Sequence, residues 1–250
     1  MKKSDFKYPH LFAPIQLGNV LFRNRIFASP TGYQNLNGDG YLNDGAAAYY
    51  AESHGSAASV ATFEGIVDGE LGRGGATHIA LDTPNIDRGI SRIAYGISQY
   101  GAVATLELQH TGMFANRDLS FFGAEAKGIA YGPVECECAG RKIRPMTEEI
   151  IERTIQKYID AALLAKKCGF GMVLVHAGHG WMLHQFLSPI TNTRTDKWGG
   201  PDIENRSRLL LSIVDGIHKA CGAGFPVEVR ISGSECYDGG YDIENGIAIA

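Results

Sequence analysis

Short apolar runs alternate with amphipathic helical runs along most of the chain, and this alternation restricts the possible folds more than any other feature. The predicted strands are residues 25–29, 59–64, 103–108, 172–176 and 226–231, and most are short and mainly apolar, as in strands that are buried on both faces. The predicted helices span residues 44–54, 85–100, 147–169 and 202–220, and a fifth starts near Asp242. Such a repeated strand–helix order predicts an α/β fold with a parallel sheet.

The spacing of these units favours a (β/α)₈ TIM barrel. From Ile26 in the first strand to Arg230 in the fifth there are 204 residues for four units, or about 51 residues each. Eight such units need roughly 400 residues, which is the upper range for these barrels, so this chain provides about five of them. The segment 15–22 is predicted to form a hairpin that closes the bottom of the barrel. A doubly wound sheet of five strands is the structural alternative, although no G-x-G-x-x-G motif follows any strand.

Composition and charge exclude several classes of protein. The 250 residues are 44 % hydrophobic and 20 % charged, with a net charge of −4, and the acidic balance argues against nucleic-acid or membrane-surface partners. The N-terminus lacks an apolar signal segment, and five cysteines indicate reduced thiols in the cytoplasm. Cys136 and Cys138 form a C-x-C pair in a long Gly-rich loop, 110–146, which is not a usual metal-ligand spacing, so no metal is expected.

The segment HAGHGWMLHQFLSP, residues 176–189, has the highest density of potentially catalytic side chains in the chain. It begins at the carboxyl end of the fourth strand, where barrel enzymes hold their active sites. His176 and His179 could share one ligand oxygen and stabilise developing negative charge on it. The alternatives are two hydrogen-bonded loop histidines or a zinc site, although no cysteine or carboxylate accompanies the pair.

Arg230 and Glu107 are charged residues that lie near the carboxyl ends of mainly apolar strands. Arg230 ends the fifth strand and Glu107 lies in the third, so they either form a salt bridge or bind a polar planar ligand together. Ser29, Pro30 and Thr31 end the first strand with small residues that let a flat ligand approach the backbone. The segment TNTRTDKWGGPDIENR, 191–206, is interpreted as a salt-bridged loop that leads into a capped helix.

Taken together, these segments resemble the old yellow enzyme family of flavin barrels, in particular its 2,4-dienoyl-CoA reductase and 2-enoate reductase branch. The resemblance is carried by LFAPIQLGNVLFRNRI (11–26), HAGHGWMLHQFLSP (176–189), TNTRTDKWGG with ENR (191–206) and FPVEVRISG (225–233). It implies that residues 1–250 form part of one FMN-binding TIM barrel that reduces the C=C bond of an α,β-unsaturated carbonyl or enoate. Hydride would come from flavin N5 and electrons from NAD(P)H, and a homo-oligomer is possible.

The resemblance also implies roles for individual residues. Ser29, Pro30 and Thr31 match the segment that lines the flavin, and Gly65 matches a backbone contact to the pyrimidine ring. Arg230 matches the arginine that faces flavin N1 and O2 and stabilises the anionic reduced ring. His176 and His179 match the pair that binds the substrate carbonyl oxygen.

The chain departs from the family at two further positions, Glu107 and Trp181. Glu107 stands where many members have a flavin-binding Gln. Its carboxylate can still accept from the flavin N3–H but cannot donate to O2, and its negative charge would lower the reduction potential of the ring. Trp181 stands where many members have a proton-donating Tyr, and an indole N–H is not a usable acid. Either Tyr33, Tyr41 or water supplies the proton, or protonation is slow.

The resemblance covers only part of the larger family members. Strands six to eight lie outside the matched part, and with them the loops after strands seven and eight that bind the FMN phosphate in the family. The [4Fe–4S] segment and the FAD/NAD(P)H domain of the larger members also lie outside it. The second hypothesis is therefore a non-catalytic partial barrel that works only by pairing with a complementing chain.

Overall fold

The computed structural model describes residues 7–32, 41–52, 57–75, 78–116, 130–138 and 140–250. The strands are β1 (Ile15–Leu17), β2 (Val20–Phe22), β3 (Phe27–Ala28), β4 (Ser59–Ile66), β5 (Ile79–Ala80), β6 (Val103–Gln109), β7 (Ala130–Gly132), β8 (Cys136–Cys138), β9 (Arg141–Pro145), β10 (Met172–Ala177) and β11 (Val227–Ile231). The helices are α1 (Asp44–Glu52), α2 (Ile86–Gln99), α3 (Glu148–Lys167), α4 (Met182–Leu187), α5 (Ile203–Cys221) and α6 (Ile243–Ile249).

The main sheet is parallel, and its strands follow one another in chain order. The order is β3-β4-β6-β10-β11, with the short β5 also paired to β4. A doubly wound sheet reverses its strand order at a switch point, and this sheet does not, so the doubly wound alternative is wrong. The order is that of five consecutive strands of a (β/α)₈ barrel, which confirms the predicted fold class for this part of the barrel.

The two faces of this sheet differ in polarity. Val60, Leu106, Leu108, Val173 and Val175 point to one face and pack in a single core with the apolar side chains of α1, α2, α3 and α5. The alternate residues point to the other face, which is the barrel interior, and there Glu107, Gln109 and His176 are buried. Because the helices cover one face of the sheet, the buried polar groups on the other face mark where a functional site can lie.

The predicted hairpin at the bottom of the barrel is confirmed. β1 and β2 pair antiparallel around Gly18 and Asn19, and the backbone N–H of Asn19 donates to Gly224 O at 2.8 Å, just before β11. Phe22 packs against Ala58 and Met172, which lie at the amino ends of β4 and β10. The hairpin therefore covers the end of the sheet opposite the predicted site.

The predicted helices are confirmed with small shifts at their ends. Thr147 caps α3 by accepting from Ile150 N, and Asp242 caps α6 by accepting from Asn245 N. α1 begins at Asp44 itself, and residues 53–54 of its predicted span lie outside the described residues. Gly101, Gly169 and Gly222 follow α2, α3 and α5 with positive φ, as helix-ending glycines do.

The prediction of a continuous loop over 110–146 is wrong for its second half. Residues 130–145 contain a three-stranded sheet in which β9 pairs with β7 and β8, so Cys136 and Cys138 lie on a strand rather than in a loop. Ala130 and Ile143 pack on Met113 and Ala115 and form a small second core. These strands gain their stability from that local packing, which their polar and Gly-rich sequence does not reveal.

Candidate active site

The candidate site lies on the barrel-interior face at the carboxyl ends of β6, β10 and β11. In the parallel register Leu174 is opposite Glu107, and His176 is opposite Arg230. Residues that are paired across parallel strands point to the same face, so these positions bring Glu107, His176 and Arg230 together around one cavity wall. The side chains of His176 and Glu107 are each only 3 % exposed.

The two predicted histidines are in direct contact. His179 Nδ1 lies 3.2 Å from His176 Nε2, and the ring centroids are 4.9 Å apart. In this contact one nitrogen donates and the other accepts. If a ligand oxygen lay between the two rings, His176 Nε2 and His179 Nδ1 could each donate a hydrogen bond to it. Such an arrangement is expected for a pair that binds a carbonyl oxygen.

Glu107 contacts His176 rather than Arg230. Glu107 Oε1 lies 3.5 Å from His176 Nδ1, and β10 separates β6 from β11, so His176 lies between the two charged residues. The predicted alternative of a direct Glu107–Arg230 salt bridge is therefore wrong. Arg230 is half-buried on the same face as Glu228, where burial raises the pKa of the Glu228 carboxyl and the charge of Arg230 opposes that rise.

The segment Ser29, Pro30 and Thr31 directly follows β3, so it lies at the carboxyl edge of the sheet as predicted. The buried Tyr50 donates from its hydroxyl to Thr31 O at 2.7 Å and fixes this backbone. Gly65 lies near the end of β4, and a Cβ there would come 2.7 Å from Glu107 O, so close strand packing requires a glycine at this position. The flavin-lining roles of these residues stay predictions.

The candidate proton donors differ in their surroundings. The Tyr41 hydroxyl donates to Pro84 O at 2.7 Å, and Tyr33 lies outside the described residues. The ring of Trp181 packs edge-on against Phe114, with centroids 5.8 Å apart. Tyr41, Tyr33 and water thus remain the candidates for supplying a proton.

Sequence reasoning missed two neighbouring polar residues at the end of β6, Gln109 and His110. Gln109 is fully buried, and within the described residues neither its amide nitrogen nor its amide oxygen has a hydrogen-bond partner. His110 is also buried, and desolvation lowers its pKa to about 4. Gln109 follows the predicted strand 103–108 directly, so extending that strand by one residue would have placed it on the interior face.

The interior face fits a polar planar ring such as the flavin of FMN. Gln109 offers a buried donor and a buried acceptor that no described residue satisfies, and such groups are costly unless a ligand or water pairs with them. The Arg230 guanidinium and the Glu107 carboxylate add one cationic and one anionic partner on the same face. This donor set matches the mixed donors and acceptors at the edge of an isoalloxazine ring.

The segment 191–206 has a structural role, as its residue types predicted. The Arg194 guanidinium pairs with Asp196 and also donates to the carbonyls of Pro133 and Met146. Arg206 is buried and donates to the carbonyls of Leu187, Gly200 and Pro201. The segment therefore fastens α4 and the three-stranded sheet to α5.

The described residues show neither a metal-binding cluster nor a membrane-spanning helix. They contain no cluster of three or more His, Cys, Asp or Glu side chains arranged to hold a metal ion. None of their helices combines the length and the apolar character that crossing a membrane requires.

Known proteins are similar to this chain both in sequence and in fold. It is 32 % identical over 244 residues to an NADH oxidase of Thermoanaerobacter brockii. This alignment covers 97 % of this chain and 37 % of that protein. It is 32 % identical over 246 residues to the NADPH dehydrogenase of Bacillus subtilis (strain 168), which covers 96 % of this chain and 68 % of that protein. The chain thus spans between about a third and two thirds of the length of these relatives.

Solved structures agree with these relatives. A 2-naphthoyl-CoA reductase in complex with 2-naphthoyl-CoA matches with a TM-score of 0.88 and 31 % identity, over 97 % of this chain and 38 % of that one. Morphinone reductase in complex with tetrahydroNAD matches with a TM-score of 0.83 and 25 % identity. This match covers 96 % of this chain and 68 % of that one. An old yellow enzyme from Pichia sp. AKU4542 matches with a TM-score of 0.83 and 29 % identity. This match covers 96 % of this chain and 64 % of that one.

The family model described as "NADH:flavin oxidoreductase / NADH oxidase family" matches residues 10–249, which is nearly the whole chain. The match agrees with the order of the barrel strands and with the polar interior face described above. The chain therefore belongs to the NADH:flavin oxidoreductase / NADH oxidase family, with the partial barrel of an old yellow enzyme.

Proposed function

We propose that this chain is the FMN-binding barrel part of an oxidoreductase that reduces the C=C bond of an α,β-unsaturated carbonyl or enoate. The observation that carries this proposal is the contact of His176 Nε2 and His179 Nδ1 at 3.2 Å, beside Arg230 on the barrel-interior face. With a carbonyl oxygen bound in place of their mutual contact, both ring nitrogens could donate to it, which suits an oxygen that gains negative charge during the reaction.

The protein residues bind and polarise the substrate in this proposal. His176 and His179 donate to the carbonyl oxygen and withdraw electron density from the conjugated alkene, which makes its β-carbon electrophilic. When bound, FMN supplies the hydride that this carbon accepts. The proton for the α-carbon comes from Tyr33, Tyr41 or water, because the Trp181 indole is not a usable acid.

The flavin would be held by groups from four strands. Arg230, Glu107 and the buried amide of Gln109 face its polar edge, and the backbone of Ser29–Thr31 and of Gly65 would line the ring. A positive guanidinium beside the ring favours its anionic reduced form. We extend this assignment to residues 1–250 as one FMN-binding barrel domain.

The relatives guide the choice of electron donor and substrate. They are named as an NADH oxidase and an NADPH dehydrogenase, and similar structures hold 2-naphthoyl-CoA and tetrahydroNAD. We therefore propose NAD(P)H as the reductant, acting directly or through further domains that carry [4Fe–4S] and FAD, and a conjugated carbonyl compound as the substrate. All five cysteines are free, which suits the reducing cytoplasm, and we propose that compartment for the protein.

A partial barrel that needs a complementing chain is the second candidate. β3 and β11 are the outer strands of the described main sheet, and each therefore has an edge on which another strand could pair. Under this candidate the protein alone is colourless or aggregated, and it gains flavin only with the complementing chain.

Substitution of the two histidines tests the proposed function. His176→Ala and His179→Ala should each weaken the binding of a para-substituted phenol and slow enoate reduction at least tenfold, because each removes one of two converging donors. The measurements are a phenol titration of the flavin spectrum and anaerobic NADH oxidation with an enoate. Unchanged affinity and rate in both variants would contradict the proposal.

His218→Ala is the matched control. His218 lies on α5 beside Gln16 and Phe225, next to the hairpin at the opposite end of the sheet. Removing this imidazole should leave both phenol affinity and enoate reduction unchanged.

A further inference from the structure

The turn that carries His179 adopts a backbone conformation that its sequence does not favour. His179 has a φ of 56° and Gly180 has a φ of 78°, so two consecutive residues are left-handed. Glycine adopts this region freely, but for histidine it is unfavourable. Such a conformation persists only where surrounding contacts hold it.

Two consecutive side chains of α4 hold the Gly180 peptide groups. Gly180 N donates to His184 Nδ1 at 2.6 Å, and Gln185 Nε2 donates to Gly180 O at 2.7 Å. Gln185 also accepts from Met113 N at 3.0 Å and donates to Thr111 O at 3.1 Å. The turn is therefore fixed from α4 and, through Gln185, from the segment that follows β6.

The bond from Gly180 also determines the tautomer of His184. Because Nδ1 accepts a hydrogen bond, the proton of the neutral ring is on Nε2. Nε2 lies 3.4 Å from Glu235 Oε1, and Glu235 Oε2 accepts from Ser188 Oγ at 3.0 Å and from Tyr241 N at 2.9 Å. Burial lowers the pKa of His184, which agrees with a neutral ring in this place.

The same loop that contains Glu235 also holds the other side of the turn. His179 N donates to Ser232 Oγ at 3.2 Å, and the Tyr241 hydroxyl donates to Ser232 O at 2.7 Å. Ser232 and Glu235 follow β11, the strand that carries Arg230. The turn is thus fastened both to α4 and to the loop after β11.

We infer that His184, whose Nδ1 accepts from Gly180 N, is a positioning residue that holds the His179–Gly180 turn and so directs the His179 ring toward His176. The inference rests on the proposed function for its effect on catalysis. His184 itself touches neither substrate nor flavin in this account. It acts through the direction of His179, because a donor that is displaced by a fraction of an ångström no longer converges on the shared oxygen.

Two substitutions of His184 separate positioning from packing. The amide oxygen of His184→Asn occupies nearly the place of Nδ1 and can accept from Gly180 N, whereas His184→Ala removes the acceptor. In flavin-loaded protein His184→Ala should weaken phenol binding and lower kcat/KM for an enoate about tenfold, and His184→Asn should restore both to within about threefold of the unsubstituted protein. Leu183→Ala is the control, because Leu183 is a buried core residue of the same helix.

A tautomer measurement gives a readout that does not depend on activity. In ¹⁵N-histidine-labelled protein, the His184 resonances should report a protonated Nε2 and a bare Nδ1, and His184→Ala should shift the His179 resonances while Leu183→Ala does not. A His184 ring protonated on Nδ1 would overturn the inference, as would an enoate-reducing enzyme in which His184→Ala changes neither phenol affinity nor kcat/KM. If the expected tautomer and shifts occur but no variant or parent reduces enoates, the proposed function fails and the positioning role stands.

Discussion

At the residue scale, the contact between Glu107 and His176 puts a carboxylate on the wall of the proposed flavin site. Glu107 Oε1 lies 3.5 Å from His176 Nδ1, and both side chains are almost fully buried. A buried negative charge beside the flavin opposes the gain of electrons by the ring. If the proposed function holds, Glu107 would therefore influence both the His176–His179 pair and the reduction potential of the bound flavin.

Glu107→Gln should raise the reduction potential of the bound flavin. The substitution removes the negative charge and keeps the shape of the side chain, so we expect a rise on the order of 30 mV for the two-electron couple. Redox titration against a dye of known potential measures it. Glu204→Gln, on the exposed first turn of α5, should leave the potential unchanged, and a fall in the Glu107→Gln potential would contradict the expected charge effect.

His110 should make the stability of the protein depend on pH. Burial lowers its pKa to about 4 from an unfolded value of 6.5, so between these values the unfolded chain binds more protons. Stability should therefore decline as the pH falls from 6.5 toward 4, by an amount on the order of 3 kcal/mol. Denaturant unfolding at a series of pH values measures this decline.

His110→Asn is the matched variant for that experiment. His110 Nδ1 accepts from Gly112 N at 3.0 Å, and the amide oxygen of asparagine can accept this bond without titrating. The decline below pH 6.5 should therefore become smaller in the variant. An equal decline in both proteins would assign the pH dependence to other groups.

At the element scale, the hairpin is fastened to the rest of the barrel at one crowded glycine. Gly18 has a φ of 54°, and a Cβ there would come 2.2 Å from Gly224 O, a backbone atom that cannot rotate away. Asn19 N donates to the same carbonyl at 2.8 Å. The close approach of these two backbones thus fixes the hairpin under the sheet.

Gly18→Ala should destabilise the protein more than Gly140→Ala. Gly140 has a φ of 73°, and no atom of the described residues lies within 4 Å of its added Cβ, so we expect the conformational cost alone, about 1 kcal/mol. Gly18→Ala adds the displacement of Gly224, and we expect a total loss of roughly 3 kcal/mol. Thermal or denaturant unfolding of both variants compares them, and equal losses would mean that the hairpin does not need this contact.

The elements that could be predicted from the sequence are those with a strong repeating pattern. The isoleucines of α2 and α3 and the apolar runs of β6 and β10 indicated their type and approximate bounds, because burial on a regular face dictates such patterns. The three-stranded sheet over 130–145 could not be predicted in this way, since its strands have three to five residues and little alternation. α4, with six residues after two glycines, was also too short to produce a periodic signal.

The candidate site could be predicted in part. His176, Glu107 and Arg230 follow from their places at the ends of apolar strands, because a polar side chain there points into the barrel. The side chains that contact these residues could not be predicted, because such contacts join segments that are distant in the chain. The contact of His184 with Glu235 joins α4 to the loop after β11 across 51 residues, and no local pattern encodes it.

At the scale of the whole molecule, five consecutive strands bring the proposed flavin partners together on one face. Arg230 on β11, Glu107 and Gln109 on β6, and the segment after β3 all lie at the carboxyl end of the same sheet. The opposite end is covered by the hairpin, and the outer face is covered by helices. We therefore expect flavin to bind at the carboxyl end of this sheet.

The most direct measurement is the visible absorption spectrum of the purified 250-residue protein after incubation with FMN and gel filtration. The account predicts a flavin band that elutes with a monodisperse protein and that decreases strongly in Arg230→Ala, which lacks the cationic partner of the ring. Circular dichroism of the same fractions shows whether each protein is folded. A folded protein that elutes without flavin, or an Arg230→Ala variant that retains as much flavin as its parent, would contradict the assignment of this face as the flavin site.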